Sequence, residues 1–260
     1  ITEASFLADS GAITFADVDL TDRPQASYAM KSLEALKANG TSLALTPEQS
    51  AQIVAGFSIL QDPSTNNGKV NWAYAVAESS IDFLAAGEKV TLLETITVDD
   101  GKGGKVTQDV TITITGTNDV PTLTAFAAPV DTTNEDTVVE ITLADLLAQG
   151  NEADVDGTVN SFVVKALSSG SLKIGTTEAS AQPWNASTNA TVDATYKAYW
   201  TPVPNANGTL NAFTAVAKDN SGAESATSIT ATVSVAAVND APVLAGTPSL
   251  LSYTENAVAA

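Results

Sequence analysis

The chain says one phrase twice. Asn118-Asp119-Val120-Pro121 returns as Asn239-Asp240-Ala241-Pro242, 121 residues later. Each copy closes an alternating segment and follows an Asp/Gly-rich turn. The turn is Asp99-Asp100-Gly101-Lys102-Gly103-Gly104 before the first copy and Asp219-Asn220-Ser221-Gly222 before the second. A period of that length exceeds any solenoid unit and suits a whole sandwich domain. The expected organisation is tandem: residues 1–121 as one module, 122–242 as a second, and 243–260 as the start of a third. The expected fold class is all-β, antiparallel Greek-key β-sandwich modules, with short helices in the first.

The hydrophobic patterns agree. Val106 to Thr115 alternates, with Val110, Ile112 and Ile114 on one face and Thr111, Thr113 and Thr115 on the other. Thr and Val at period two suit a half-exposed antiparallel strand. Ile229, Ala231, Val233 and Val235 repeat the pattern in the second module, and Trp72, Tyr74 and Val76 share a face in the first. Two helices are expected as lids on the first sandwich. One runs from Ser27 to Ala38, where Met30, Leu33 and Leu36 fall at helical spacing before Asn39-Gly40. The other starts at Thr46, with Pro47 at its first position and Gln49 completing a capping box. In the second module, residues 144–149 make about one helical turn closed by Gly150.

Composition narrows the chemistry. The chain has no Cys and no His, so disulfides, Cys/His zinc sites and His-dependent catalytic groups are excluded. Thirty acidic residues against eleven basic ones give a net charge of −19. Such a chain repels nucleic acid and anionic lipid and attracts cations. No signal peptide or membrane-spanning run is visible, and no direct membrane insertion is expected. The chain opens on Ile1 rather than Met, and it is expected to be a piece of a longer protein.

The acidic residues gather where cations bind. Calcium takes six to eight oxygens from carboxylates, Asn side chains and backbone carbonyls. Asp17-Val18-Asp19 and Asp154-Val155-Asp156 each present two carboxylates early in a module. Asp99, Asp100 and Asp219 lie in the late turns, and Asn118-Asp119 and Asn239-Asp240 in the linkers. Glu135 and Glu255, shortly after each linker, are expected to close a site from the following module. Asp and Gly are ordinary turn residues, so a single such turn means little. Repetition of the whole set in both modules makes calcium the expected ligand.

These residues resemble known repeats. Leu45-Thr46-Pro47-Glu48-Gln49, Val70-Asn71-Trp72-Ala73-Tyr74 and the run Ile81 to Glu88 resemble the VCBS repeat of very large bacterial surface proteins, including RTX adhesins. So do Ile96 to Gly101 and Thr115 to Asp119. Glu135-Asp136-Thr137, Asp154-Val155-Asp156-Gly157, Tyr199-Trp200-Thr201-Pro202, Asn207-Gly208 and Asn239-Asp240-Ala241-Pro242 are similar to the cadherin-like tandem repeats of the same proteins. The resemblance implies cadherin/immunoglobulin-like sandwiches, secretion to the bacterial cell surface, and calcium at module junctions stiffening a long stalk. There is no Gly-Gly-x-Gly-x-Asp nonapeptide run, so the calcium β-roll is not expected.

The expected function is a calcium-rigidified extender of a cell-surface adhesin. Its partners are neighbouring modules of the same chain, without nucleic acid, and it is expected to be a monomer. The competing reading is a module that itself binds a glycan or peptide weakly, with an exposed Trp184 beside Asn185, Ser187 and Asn189. An enzyme is not expected, because the strong acidic groups sit in turns and linkers.

Overall fold

The computed structural model describes residues 6–61 and 66–242. The expected third module and Glu255 lie outside the described residues.

The chain up to Thr115 forms β1 (Phe6–Ala16), β2 (Gln25–Leu36), α1 (Pro47–Ala55), β3 (Phe57–Gln61), β4 (Asn67–Ala77), β5 (Lys89–Asp99) and β6 (Lys105–Thr115). They build two antiparallel three-stranded sheets, ordered β1-β4-β3 and β2-β5-β6. The crossing from β4 in one sheet to β5 in the other makes a sandwich rather than a flat meander. The inward faces follow from alternation: Val90, Leu92, Ile96 and Val98 on β5 meet Val110, Ile112 and Ile114 on β6, and all are buried.

The second half adds β7 (Asp131–Asn134), β8 (Val139–Ile141), α2 (Leu143–Gln149), β9 (Val159–Leu167), β10 (Ser171–Gly175), β11 (Gln182–Pro183), β12 (Thr191–Asp193), β13 (Lys197–Thr201), β14 (Gly208–Asp219) and β15 (Ile229–Ala236). One sheet is ordered β11-β10-β13-β8 and the other β12-β9-β14-β15-β7. All pairs are antiparallel except β7 with β15. The two halves share no core: one cluster runs from Ala35 to Ile114, the other from Leu123 to Val235. In the second, Trp200, Phe162 and Phe213 are completely buried.

One expected helix is a strand. Residues 25–36 form β2, paired along its length with β5. The pairing slips between Met30, opposite Glu94, and Ser32, opposite Leu93. This bulge puts one extra residue, Lys31, into the strand and changes its phase. The apolar positions then jump from 30 to 33, and a broken period of two imitates a helical spacing. The helix at Thr46 is present with its capping box: Thr46 Oγ1 accepts from Gln49 N, and Gln49 Oε1 accepts from Thr46 N. It is more than a lid, because its Ile53 is completely buried in the core and the Ile53 carbonyl accepts the Tyr74 hydroxyl at 3.0 Å. The turn at 144–149 is α2, ending at Gly150 as expected.

Candidate metal centre

Three chain segments meet where the two halves join. The linker leaves β6 and is anchored by Leu123 in the second core. Thr122 and Ala153 exchange both backbone hydrogen bonds, at 2.8 and 3.1 Å. This clamp lays Asn118-Asp119 along the segment Asp154-Val155-Asp156. The third segment is the turn after β14, whose last residue is Asp219.

Their polar atoms converge. Asn118 Nδ2 donates to Asp219 Oδ2 at 2.8 Å, and Asp119 N donates to Asp156 Oδ2 at 3.2 Å. Gly157 lies between oxygens of two segments: a Cβ there would sit 2.6 Å from Asn220 Oδ1 and 2.7 Å from Asp154 Oδ2. Asp219 is 2% exposed, and its Oδ1 accepts the N–H groups of Ser221, Gly222 and Ala223. Burial works against its charge, but the Asn118 amide and those three N–H groups outweigh it and hold the carboxyl below its ordinary range.

Asp154 is the opposite case. Both of its carboxylate oxygens are buried without a hydrogen-bond partner, and so is Asp156 Oδ1. Burial first, then the neighbouring Asp156 and Asp219, push the Asp154 carboxyl above its ordinary range. Two carboxylates about 4 Å apart repel by about 1 kcal/mol in water and about 4 kcal/mol at a protein surface. Among the described residues no ion pair reaches these carboxylates: Lys31–Asp109, Lys105–Asp99, Lys165–Glu224 and Lys197–Glu140 lie elsewhere. The donors are all oxygens, the kind a hard divalent cation such as calcium takes, although no three of these carboxylates have ligand atoms within 4.8 Å of one another.

The first sandwich borders the linker. Glu78 and Asp82, in and just after the turn following β4, line a cleft of about 30 Å³ together with Asp119. Sequence reasoning missed both. Their signal was an acidic pair four residues apart at the end of the Trp72-to-Val76 strand. Gly116 fits the linker exit, since a Cβ on it would lie 2.2 Å from the Leu84 carbonyl oxygen. Gly116→Ala should therefore destabilise the first sandwich by about 1–3 kcal/mol, as strained substitutions do. Urea unfolding with unchanged stability would show that the linker exit yields instead.

A second acidic group lies at the other end of the first sandwich. Ligand atoms of Asp17, Asp22 and Asp100 fall within 4.8 Å of one another. Two expected ligands, Asp19 and Asp99, lie outside this group. Asp19 is exposed, with Asp22 in its place, because the turn carries the Asp19 carbonyl, not its carboxylate, to Asp22 N at 3.0 Å. Asp99 is held instead by Lys105 at 2.8 Å and by Gly101 N. Asp100 Oδ1 is already occupied by Lys102 N and Gly104 N.

Glu135 does not close the first junction. The parallel pairing of β7 with β15 carries the chain to the far end of the second sandwich. There Glu135, 6% exposed, accepts from Val238 N at 2.5 Å and Asn207 Nδ2 at 3.5 Å. It stands beside the second linker, where Asn239 Nδ2 donates to Asp240 O as Asn118 Nδ2 does to Asp119 O. The repeated phrase thus has the same local bond twice.

Trp184 is not an exposed ligand platform. Its indole donates to the Val164 carbonyl at 3.2 Å and packs on Val163, Ala190 and Val216. Asn189 ties the same loop down through the carbonyls of Ile174, Gln182 and Pro183.

No protein-family model matches the sequence, and no curated protein matches it either. Among solved structures, the chain aligns with the fibronectin(III)-like modules of CbhA from Clostridium thermocellum at 12% identity. That alignment covers 86% of this chain and 95% of that one, with a TM-score of 0.24. The tandem Ig repeats of Dlar align at 11% identity over 87% and 98%, with a TM-score of 0.19. SporoSAG from Toxoplasma gondii aligns at 10% identity over 87% and 92%, also at 0.19. No helix among the described residues is long and apolar enough to cross a membrane.

Proposed function

We propose that the chain is an extender segment of a bacterial surface adhesin, two sandwiches whose junction is stiffened by calcium. The observation that carries this reading is the set of buried, unpartnered oxygens on Asp154 and Asp156, laid against the Asn118-Asp119 linker. Asp119, Asp154, Asp156 and Asp219 would hold the ion, with Glu78 and Asp82 reaching it from the first sandwich. The bound cation supplies positive charge that cancels their repulsion. The residues do the mechanical work: the Thr122–Ala153 clamp orients the linker, and the cores hold their shapes independently of it. A joint with a small interface is flexible by default. Fixing it from both sides turns two linked domains into a rod.

Calorimetric titration with calcium, reversed by EDTA, tests binding, with an expected dissociation constant of about 0.1–1 mM. Small-angle scattering tests the mechanics. Asp119→Ala in calcium should resemble the wild type in EDTA, with a shorter and more variable maximum dimension. A mutant that binds calcium less tightly yet keeps the extended profile would remove the rod mechanism at this junction. The absence of any calcium heat would remove the site itself. The glycan-binding reading loses its main support, since Trp184 and Asn189 are spent on holding their own loop.

A further inference from the structure

Strand β5 carries a carboxylate where its neighbours are aliphatic. Val90, Leu92, Glu94, Ile96 and Val98 share the inward face, and Glu94 is 0% exposed. Both of its oxygens are buried and without a hydrogen-bond partner. Its ladder neighbours are Met30 on β2 and Val110 on β6, which offer it nothing polar from their side chains.

The charged and titratable groups on the surrounding elements are engaged elsewhere or face solvent. On β2, Tyr28 donates to the Phe57 carbonyl, Lys31 pairs with Asp109 of β6 at 2.6 Å, and Glu34 is exposed. On β6, Lys105 pairs with Asp99 of β5. On β4, Tyr74 donates to the Ile53 carbonyl and Lys69 is exposed. Asp9 on β1 and Glu48 on α1 are exposed, and β3 has no such group. An ionised Glu94 would be desolvated and uncompensated, the costliest state for a carboxylate. A neutral carboxylic acid avoids the charge.

We propose that the first sandwich takes up a proton at Glu94 as it folds, so that acid favours its folded state. Burial pushes the Glu94 carboxyl above its ordinary value of 4.5, in agreement with the geometry. The folded chain then holds a proton that the unfolded chain releases. Stability is full below 4.5 and falls as pH rises through the higher folded value. This opposes Asp109, whose carboxyl Lys31 holds low and which favours the folded state at higher pH. The buried carboxylates of the second sandwich, Asp219 and Glu135, accept hydrogen bonds, and Asp154 stands at the candidate ion site rather than among the apolar core residues.

The test uses the full chain in EDTA, so that no junction ion contributes. Hydrogen exchange is followed by peptide mass spectrometry between pH 5 and pH 8, corrected for intrinsic rates, in wild type and Glu94→Gln. In the wild type, protection of β5 and β6 should fall with pH, by up to about tenfold per pH unit. Glu94→Gln should remove that fall and leave β14 protection equal in the two proteins at each pH. Identical pH dependence of β5 in both proteins would overturn the proposal. A carboxyl-carbon NMR titration of the wild type needs no variant to fold. Glu94 should titrate above 4.5, and a midpoint at or below that value would sink the idea.

Discussion

In EDTA, Asp154→Asn should raise the unfolding midpoint of the second sandwich; in millimolar calcium it should lower it. The crossing follows from the state of this side chain. Without an ion, Asp154 is a buried carboxylate with no hydrogen-bond partner, beside Asp156 and Asp219. The neutral amide relieves about 1 kcal/mol or more of repulsion for each carboxylate pair it breaks. With an ion, the same carboxylate is a ligand. A cation at a hundredfold over its dissociation constant contributes about 2.7 kcal/mol to the folded form, and the variant forfeits much of this. For a sandwich of this size each kcal/mol moves the midpoint by about 4 °C. The pH dependence gives the same sign. Asp154, pushed up, favours the folded state at low pH and loses that contribution as pH rises through its folded value. Asp219, held low, contributes in the opposite direction. Calcium should therefore stabilise most at neutral pH and least near the ordinary aspartate value of 3.8. Thermal scans in the two buffers decide the matter. A shift of one sign in both would mean that Asp154 is a turn residue and no ligand.

Trp200→Ala should cost the second sandwich about 3–5 kcal/mol, the range for removing a large aromatic from a core. Trp200 is completely buried near the end of β13, between Leu172 on β10 and Val139 on β8. Its indole donates to the Ser169 carbonyl at 2.7 Å, next to Gly170 at φ +69°. Truncation leaves a cavity and an unpaired carbonyl in one step. Calcium should stabilise both proteins alike and leave the difference between them unchanged, since the ion site and Trp200 act on different parts of the sandwich. Hydrogen exchange in urea should show β14 of the second sandwich losing protection while β5 and β6 of the first keep theirs. A loss under about 1 kcal/mol, or joint unfolding of both halves, would contradict the separate cores seen here.

Much of the fold was legible because it is encoded locally. The inward phase of Val110, Ile112 and Ile114 depends only on alternation, and the start of α1 only on Thr46, Pro47 and Gln49. The same alternation also ran through Leu92, Glu94 and Ile96, so the buried carboxylate was written in the pattern; only its lack of any partner was not.

The sequence by itself determined the repeat, the strand phases, the helix caps and the oxygen-only chemistry, because each is set by residues a few positions apart. Tertiary structure decided the rest. Residues 25–36 became strand because β5 offers a full ladder, and pairing with a bulge overrides a helical spacing. Glu135 went to the second linker because β7 runs parallel to β15. Asp22 replaced Asp19 through the geometry of one turn. Asn118, Asp156 and Asp219 meet although about 100 residues of chain separate the first from the last. That meeting depends on how β9, β14 and the linker are packed. No local period or cap can state it, since it is a property of the folded sheets.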